Sequence, residues 1–266
     1  MNRDFHSFES ENVAYWTERA GGYSKVNQNE LKSDQHTVWG STLAGHIEAR
    51  HSDKKPGEIS VLDMGTGPGF FAIVLAEKGY RVTAVDYTES MLKEAQSNAG
   101  ALARKIRFQK MNAESLSFDD HSFDVVVSRN LTWNLQQPEK AYLQWVRVLK
   151  PGGLLLNFDA NWYNYLHYKE AGEGYLRDRE NIRAVGVNNE TDGTDIQAME
   201  AIALQAPLSA EQRPAWDVNF LIGLGMEAAA DEEIWKTVWT FEEKINNAST
   251  PMFLIKAVKE NAPMPA

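Results

Sequence analysis

Three glycines and two aspartates set the chemistry open to this sequence. In Val61-Leu-Asp-Met-Gly-Thr-Gly-Pro-Gly69 the backbone has to turn sharply and admit a ligand where a side chain would collide. The run follows a strand pattern and opens a helical one, so unpaired N–H groups and the positive end of a helix face the ligand, an environment suited to a carboxylate or a phosphate. Seventeen residues beyond Gly69, Asp86 ends a second strand pattern, where its carboxylate can accept hydrogen bonds from both hydroxyls of a ribose. A glycine triplet alone is an ordinary tight turn. Combined with Asp86 at this separation it describes a site for an adenosine-containing ligand.

A dinucleotide loop places its third glycine one residue later, where this chain has Phe70, and no Gly-Lys-Ser phosphate loop is present. The run instead resembles motif I of the class I S-adenosylmethionine-dependent methyltransferases, an acidic residue followed by Gly-x-Gly-x-Gly, here Asp63, Gly65, Gly67 and Gly69. The resemblance is close from Ile59 to Phe158. Asp86 is similar to the family's ribose-binding acid, and Met111-Asn-Ala-Glu-Ser-Leu-Ser-Phe118 to the segment holding the adenine edge. Asn112 stands where the family more often has Asp, and an amide can both accept from and donate to adenine. Asp124-Val-Val-Val-Ser-Arg-Asn130 resembles the fourth strand and its end, and Arg147-Val-Leu-Lys-Pro-Gly-Gly153 the turn before the fifth. The opening Tyr15-Trp-Thr-Glu-Arg-Ala-Gly-Gly-Tyr23 resembles a subgroup whose helical N-terminus forms a lid over the cofactor.

The resemblance implies S-adenosylmethionine as cofactor and S-adenosylhomocysteine as its product. The cofactor-binding residues it implies are Tyr23 from the lid, then Asp63, Gly65, Thr66 and Gly67 from the loop. Asp86, Tyr87 and Met91 follow from the second strand and the helix after it, Asn112, Ala113 and Glu114 from the third motif, and Ser128 and Arg129 from the fourth strand. The expected reaction is direct in-line attack of a nucleophile on the sulfonium methyl, which needs alignment and a dry site more than a covalent intermediate. Strand C-terminal ends are where open α/β sheets bind ligands, so Asn130 and Trp133 are expected to meet the acceptor. The aromatic run from Asn161 to Tyr168 supplies Trp162 and Tyr163, rings that pack in a core or equally wall a pocket for a flat or cationic molecule. His167 is the candidate general base, with a structural role as the alternative. The six histidines form no close-spaced ligand pair, and no metal is expected.

The elements that would position these groups read as repeated βα units. Short apolar runs at Ile59–Met64, Arg81–Asp86, Ile106–Met111, Asp124–Ser128 and Leu154–Asp159 alternate with amphipathic stretches at Phe70–Lys78, Glu89–Asn98 and Pro138–Leu149. The fold expected is α/β and Rossmann-like, a mostly parallel seven-stranded sheet with helices on both faces. Residues 1–55 read as a helical N-terminal lid broken at Gly21-Gly22, residues 56–160 and 209–260 as the cofactor-binding core, and residues 161–208 as a substrate-cap insertion. Ser209-Ala-Glu-Gln212 reads as a capping box starting a helix that runs to about Gly223, and Ile234–Glu242 with Pro251–Lys259 as an antiparallel pair.

Composition narrows the function. The chain has 266 residues and no cysteine, which excludes disulfides, thiolate metal sites and thiol nucleophiles. A net charge of -10 argues against an extended nucleic-acid contact, and no apolar run is long enough for a membrane helix, so a cytoplasmic protein is expected. Residues 161–234 hold fourteen Asp or Glu against five Lys or Arg, which is nine of the net negative charges. Such a block is either a solvated face or a mouth favouring cationic or neutral substrates. The reading is a methyltransferase acting at O, N or C of a small-molecule acceptor, cationic or aromatic in character. The alternatives are a catalytically silent cofactor-binding module of the same fold and a protein methyltransferase.

Overall fold

The computed structural model describes residues 5–260. Two long helices come first, α1 (Phe5–Lys32) and α2 (Asp34–Arg50). The βα units follow as β1 (Ser60–Met64), α3 (Phe70–Glu77), β2 (Arg81–Asp86), α4 (Glu89–Ala99), β3 (Ile106–Lys110), β4 (Phe123–Arg129), α5 (Pro138–Val148) and β5 (Leu149–Asp159). The remainder is α6 (Lys169–Val185), α7 (Ile196–Ala203), α8 (Ala215–Gly223), β6 (Met226–Asp231), α9 (Trp235–Val238), α10 (Phe241–Asn246) and β7 (Phe253–Lys259).

The strands form one seven-stranded sheet in the order β3-β2-β1-β4-β5-β7-β6. β7 runs antiparallel to both of its neighbours, and the pairings among β1 to β5 are parallel. Alternation along the central strands feeds two cores. Val61, Val125, Val127 and Leu156 pack with Trp39, Phe71 and Phe158 beneath α2 and α3, whereas Leu62, Met64, Val126 and Leu155 pack with Tyr142 and Trp145 of α5. In register Met64 lies beside Val85 of β2 and Ser128 of β4, so the loops leaving β1, β2 and β4 converge at one edge. That edge is the switch point of an open α/β sheet, where ligands bind. At the opposite edge Asp124 accepts from Lys54 and Lys150, both at 2.8 Å, and from the Ser60 amide at 2.8 Å, so the Lys150-Pro-Gly-Gly153 turn is a structural clamp remote from the site. A third cluster joins Phe8 of α1, Trp133, and Met199, Ile202 and Ala203 of α7, tying the N-terminal helix to the insertion.

Three expectations are corrected. α1 runs through Gly21-Gly22 without a break, because its neighbours Ala20, Ser24 and Asn27 are buried and that packing outweighs the cost of two glycines, about 1 kcal/mol each. The chain turns instead at Ser33, whose hydroxyl caps α2 by accepting from the Gln35 amide at 3.2 Å. Ser209 sits in a single 3-10 turn, Pro207–Ala210, and α8 starts only at Ala215, after the chain dips inward to bury Arg213. Residues 234–242 are not a strand. Ile234, Val238 and Trp239 recur at helical spacing against the core, and Thr240 with Glu243 forms a reciprocal capping box that opens α10. The second antiparallel partner of β7, beside β5, is β6, whose Met226-Glu-Ala-Ala-Ala-Asp231 has little intrinsic strand preference and is placed by that pairing. Among the described residues no helix is long and apolar enough to cross a membrane.

Candidate active site

The β1–α3 loop takes its shape from glycines in the left-handed region. Gly69 (φ 94°) caps α3, and a Cβ there would lie 2.9 Å from the Ala95 Cβ and 3.1 Å from its Cα, a collision with the backbone of α4. The Gly67 amide donates to Asp86 Oδ2 at 2.9 Å, and the Thr88 amide donates to Oδ1 at 2.8 Å. Each oxygen keeps acceptor capacity toward the cavity. Asp63 beneath the loop is buried and accepts from the Thr66 hydroxyl at 2.6 Å; burial pushes its carboxyl up to about 7. Burial also raises Asp86.

These groups line a cavity of about 400 Å³. On one side stand Met91 of α4, with Met111, Asn112 and Ala113 of the loop after β3. Asn112 Oδ1 accepts from the Glu114 amide at 2.8 Å, which leaves its NH2 as the donor toward a ligand. Glu114 lines the cavity, but its Oε1 accepts from the Gln136 and Gln137 amides at 2.9 Å, so it holds the approach to α5. Above, α1 contributes Asn12, Trp16 and Tyr23, and Tyr87 donates to Glu9 of the same helix. Asn98 of α4 fixes that lid by donating to Ser24 Oγ at 3.0 Å and to the Pro68 carbonyl at 3.0 Å, so one side chain joins α1 to the glycine loop. Arg129 lines the cavity with its charge paired to Glu30 of α1 and its guanidinium 4.9 Å from the centre of the Trp39 ring.

The far side is aromatic. Asn130 adopts φ 55°, a conformation asparagine tolerates, and its Oδ1 is buried without a partner. Its carbonyl accepts from the Trp133 indole at 3.0 Å. Trp133 stacks near Tyr163, ring centres 4.8 Å apart, and Trp162 also lines the cavity. Burial raises the Tyr163 phenol above its ordinary value, so it stays an O–H donor at neutral pH.

Two expected site residues lie elsewhere. Ser128 is fully buried within β4 and does not line the cavity, because side chains alternate along a strand and the contact passes to Arg129 and Asn130. His167 ends a short 3-10 turn with its side chain exposed and outside the cavity lining, since the turn directs Tyr163 and Tyr165 inward and leaves His167 on the far side. The other expected residues, Tyr23, Asp63, Gly65, Thr66, Gly67, Asp86, Tyr87, Met91, Asn112, Ala113, Glu114, Arg129, Asn130, Trp133, Trp162 and Tyr163, all line it. Among the described residues no group of three or more His, Cys, Asp or Glu is placed to hold a metal.

One supporting network gave no signal in the sequence. Arg213 is fully buried and donates to Asp217 at 2.8 and 2.9 Å, to Asp159 at 2.9 Å and to Thr132 at 2.6 Å. Asp159 in turn accepts from the Trp133 amide at 2.9 Å and from the Trp162 indole at 3.1 Å. The ion network therefore fixes the base of the aromatic wall, although its members lie far apart in the chain.

Residues 62–157 match a family described as a methyltransferase domain. Demethylmenaquinone methyltransferase from Leptospira interrogans is 35% identical over 129 residues, 47% of this chain and 50% of that protein. The chain spans about half the length, or less, of the curated relatives it matches. Among solved structures, the plantazolicin methyltransferase BpumL, in complex with a substrate analogue and S-adenosylhomocysteine, superposes with a TM-score of 0.62 at 13% identity, covering 96% of this chain and 98% of that one. The CurJ carbon methyltransferase gives 0.61 at 15% identity, covering 91% and 59%. Residues 62–157 therefore match a methyltransferase domain, and the seven-stranded fold is the one shared by these solved methyltransferases.

Proposed function

We propose that this protein transfers the methyl group of S-adenosylmethionine to a small-molecule acceptor held against the aromatic side of the cavity. The observation that carries the reading is the joining, in one cavity, of a complete nucleoside half and a separate aromatic half. Fit to the cofactor rests on three features: a glycine loop whose conformation excludes side chains, Asp86 with acceptor capacity on both oxygens, and the buried, unpartnered Asn130 Oδ1, an acceptor suited to an ammonium group. When bound, the cofactor supplies a methyl group already activated on a sulfonium.

The chain's own residues then have to bind, orient and keep water out. Asp86 takes the ribose, Asn112 the adenine edge, and α1 closes over both. Trp133, Trp162 and Tyr163 present a rigid, dry wall on which a flat acceptor can lie. A small acceptor agrees with the name of one curated relative, which specifies demethylmenaquinone. In this reading residues 1–55 act as lid and 161–208 as substrate cap. The acidic block is the solvated face: eleven of its fourteen carboxylates are exposed, and Asp178 is the member that lines the cavity.

Incubation with S-adenosylmethionine and a panel of phenols, quinols and amines, following S-adenosylhomocysteine release, tests the proposal. Release that depends on one class of acceptor is expected. Tight cofactor binding with no release across the panel would mark the protein as a silent binding module instead.

A further inference from the structure

The charges that line the cavity are nearly all occupied. Asp63 is bonded to Thr66, Asp86 to Gly67 and Thr88, Glu114 to the Gln136 and Gln137 amides, and Asp178 to Ser249, while Arg129 is paired with Glu30. Arg179 of α6 differs. It lines the cavity and forms no ion pair among the described residues. Its two polar partners are neutral: Nη1 donates to Asn189 Oδ1 at 3.0 Å and Nη2 to the Asn246 carbonyl at 2.5 Å. Nε is buried without a partner, so three of the five N–H donors of the guanidinium are uncommitted. The Glu190 carboxylate feels the charge of Arg179 without forming an ion pair with it, and is bonded to Asn247 at 3.0 Å.

A row of rings leads from the cofactor half of the cavity to this cation. Trp133 meets Tyr163 at 4.8 Å, Tyr163 meets Tyr165 at 5.9 Å, Tyr165 stacks on Tyr175 at 4.1 Å and 11°, and Arg179 lies 4.9 Å from the centre of Tyr175. All five residues line the same cavity. Tyr165 is anchored by its hydroxyl, which donates to Glu200 at 2.8 Å, so the row is fixed at its middle. Stacking on Tyr175 and two neutral partners hold the guanidinium in place without neutralising it, and a planar guanidinium with free N–H groups is matched by a carboxylate.

Resting on the proposed methyl transfer, we propose that Arg179 is the specificity-determining residue of the acceptor subsite, and that the acceptor is a planar molecule carrying an anionic group, of the aromatic carboxylate class. The carboxylate pairs with Arg179, and the ring lies on the aromatic wall that leads from Tyr175 toward Trp133. This gives the cavity the opposite preference to the one a mouth made by the acidic block would have.

Three probes that share a phenol ring and differ in charge test it by calorimetry in the presence of saturating S-adenosylhomocysteine. The probes are 3-(4-hydroxyphenyl)propionate, tyramine and 4-ethylphenol. The wild-type protein is expected to bind the propionate at least about tenfold more tightly than the other two, and Arg179→Gln to lose that preference while keeping its affinity for S-adenosylhomocysteine. Arg179→Lys is expected to recover part of the discrimination, because charge returns without the planar fork. Equal binding of the three probes, a preference for tyramine, no binding of the propionate, or a preference that survives in Arg179→Gln would overturn the assignment. Failure of the wild-type protein to bind S-adenosylhomocysteine would overturn the proposed function itself, so the two failures are distinguishable.

Discussion

The Gly67 amide donates to Asp86 Oδ2 at 2.9 Å, so the glycine loop and the acid at the end of the neighbouring strand are one hydrogen-bonded unit. Asp86 receives a second amide, from Thr88, and its geometry is therefore set before any ligand arrives. This preorganisation keeps the cost of orienting the carboxylate out of the binding step.

Asp63 gives the ligand-free protein a pH signature. Its folded value near 7 lies above the ordinary carboxylate range, so between about pH 4 and 7 the folded state holds a proton that the unfolded chain has already released. Stability contributed by this group is therefore present below pH 4 and falls as pH rises through 7. In Asp63→Asn the decline in Tm between about pH 4 and 7 is expected to shrink; a decline as steep as that of the wild type would contradict the burial argument.

Arg213 holds two buried carboxylates, and removing it leaves both without their cation. Arg213→Met is expected to cost about 3–5 kcal/mol in chemical denaturation. A loss below about 1 kcal/mol would show that the network contributes little to the folded state.

Asn98 joins the lid to the glycine loop through Ser24 and the Pro68 carbonyl. Asn98→Ala is expected to speed hydrogen exchange across α1 and to weaken S-adenosylhomocysteine binding on the order of fivefold. Unchanged exchange in α1 would show that apolar packing alone holds the lid.

Local signals are enough to read the strands β1 to β5, the helices α3 to α5 and the glycine loop with Asp86 that lines the cavity. In each case the decisive residues are neighbours in sequence or one βα unit apart, as Gly67 and Asp86 are. The errors fell where long-range packing decides. Residues 234–242 are rich in β-branched and aromatic side chains, as strands are, whereas the structure places Ile234, Val238 and Trp239 in the same core as Trp39 and Phe158. Met226–Asp231 becomes a strand only because β7 offers it a partner. Arg213 and Asp159, 54 residues apart, meet only in the folded chain. His167 stands in an aromatic run as a histidine suited to a base, but the short turn it ends leaves its side chain exposed.

The central claim, that Val61 to Asp86 builds a site for S-adenosylmethionine, is tested most directly by calorimetric titration of S-adenosylhomocysteine into the wild-type protein and Asp86→Ala. The wild type is expected to bind with one site per chain, and Asp86→Ala to bind at least about tenfold more weakly, because two ribose hydroxyls lose a charged acceptor. Absence of wild-type binding, or an affinity unchanged in Asp86→Ala, would contradict the account.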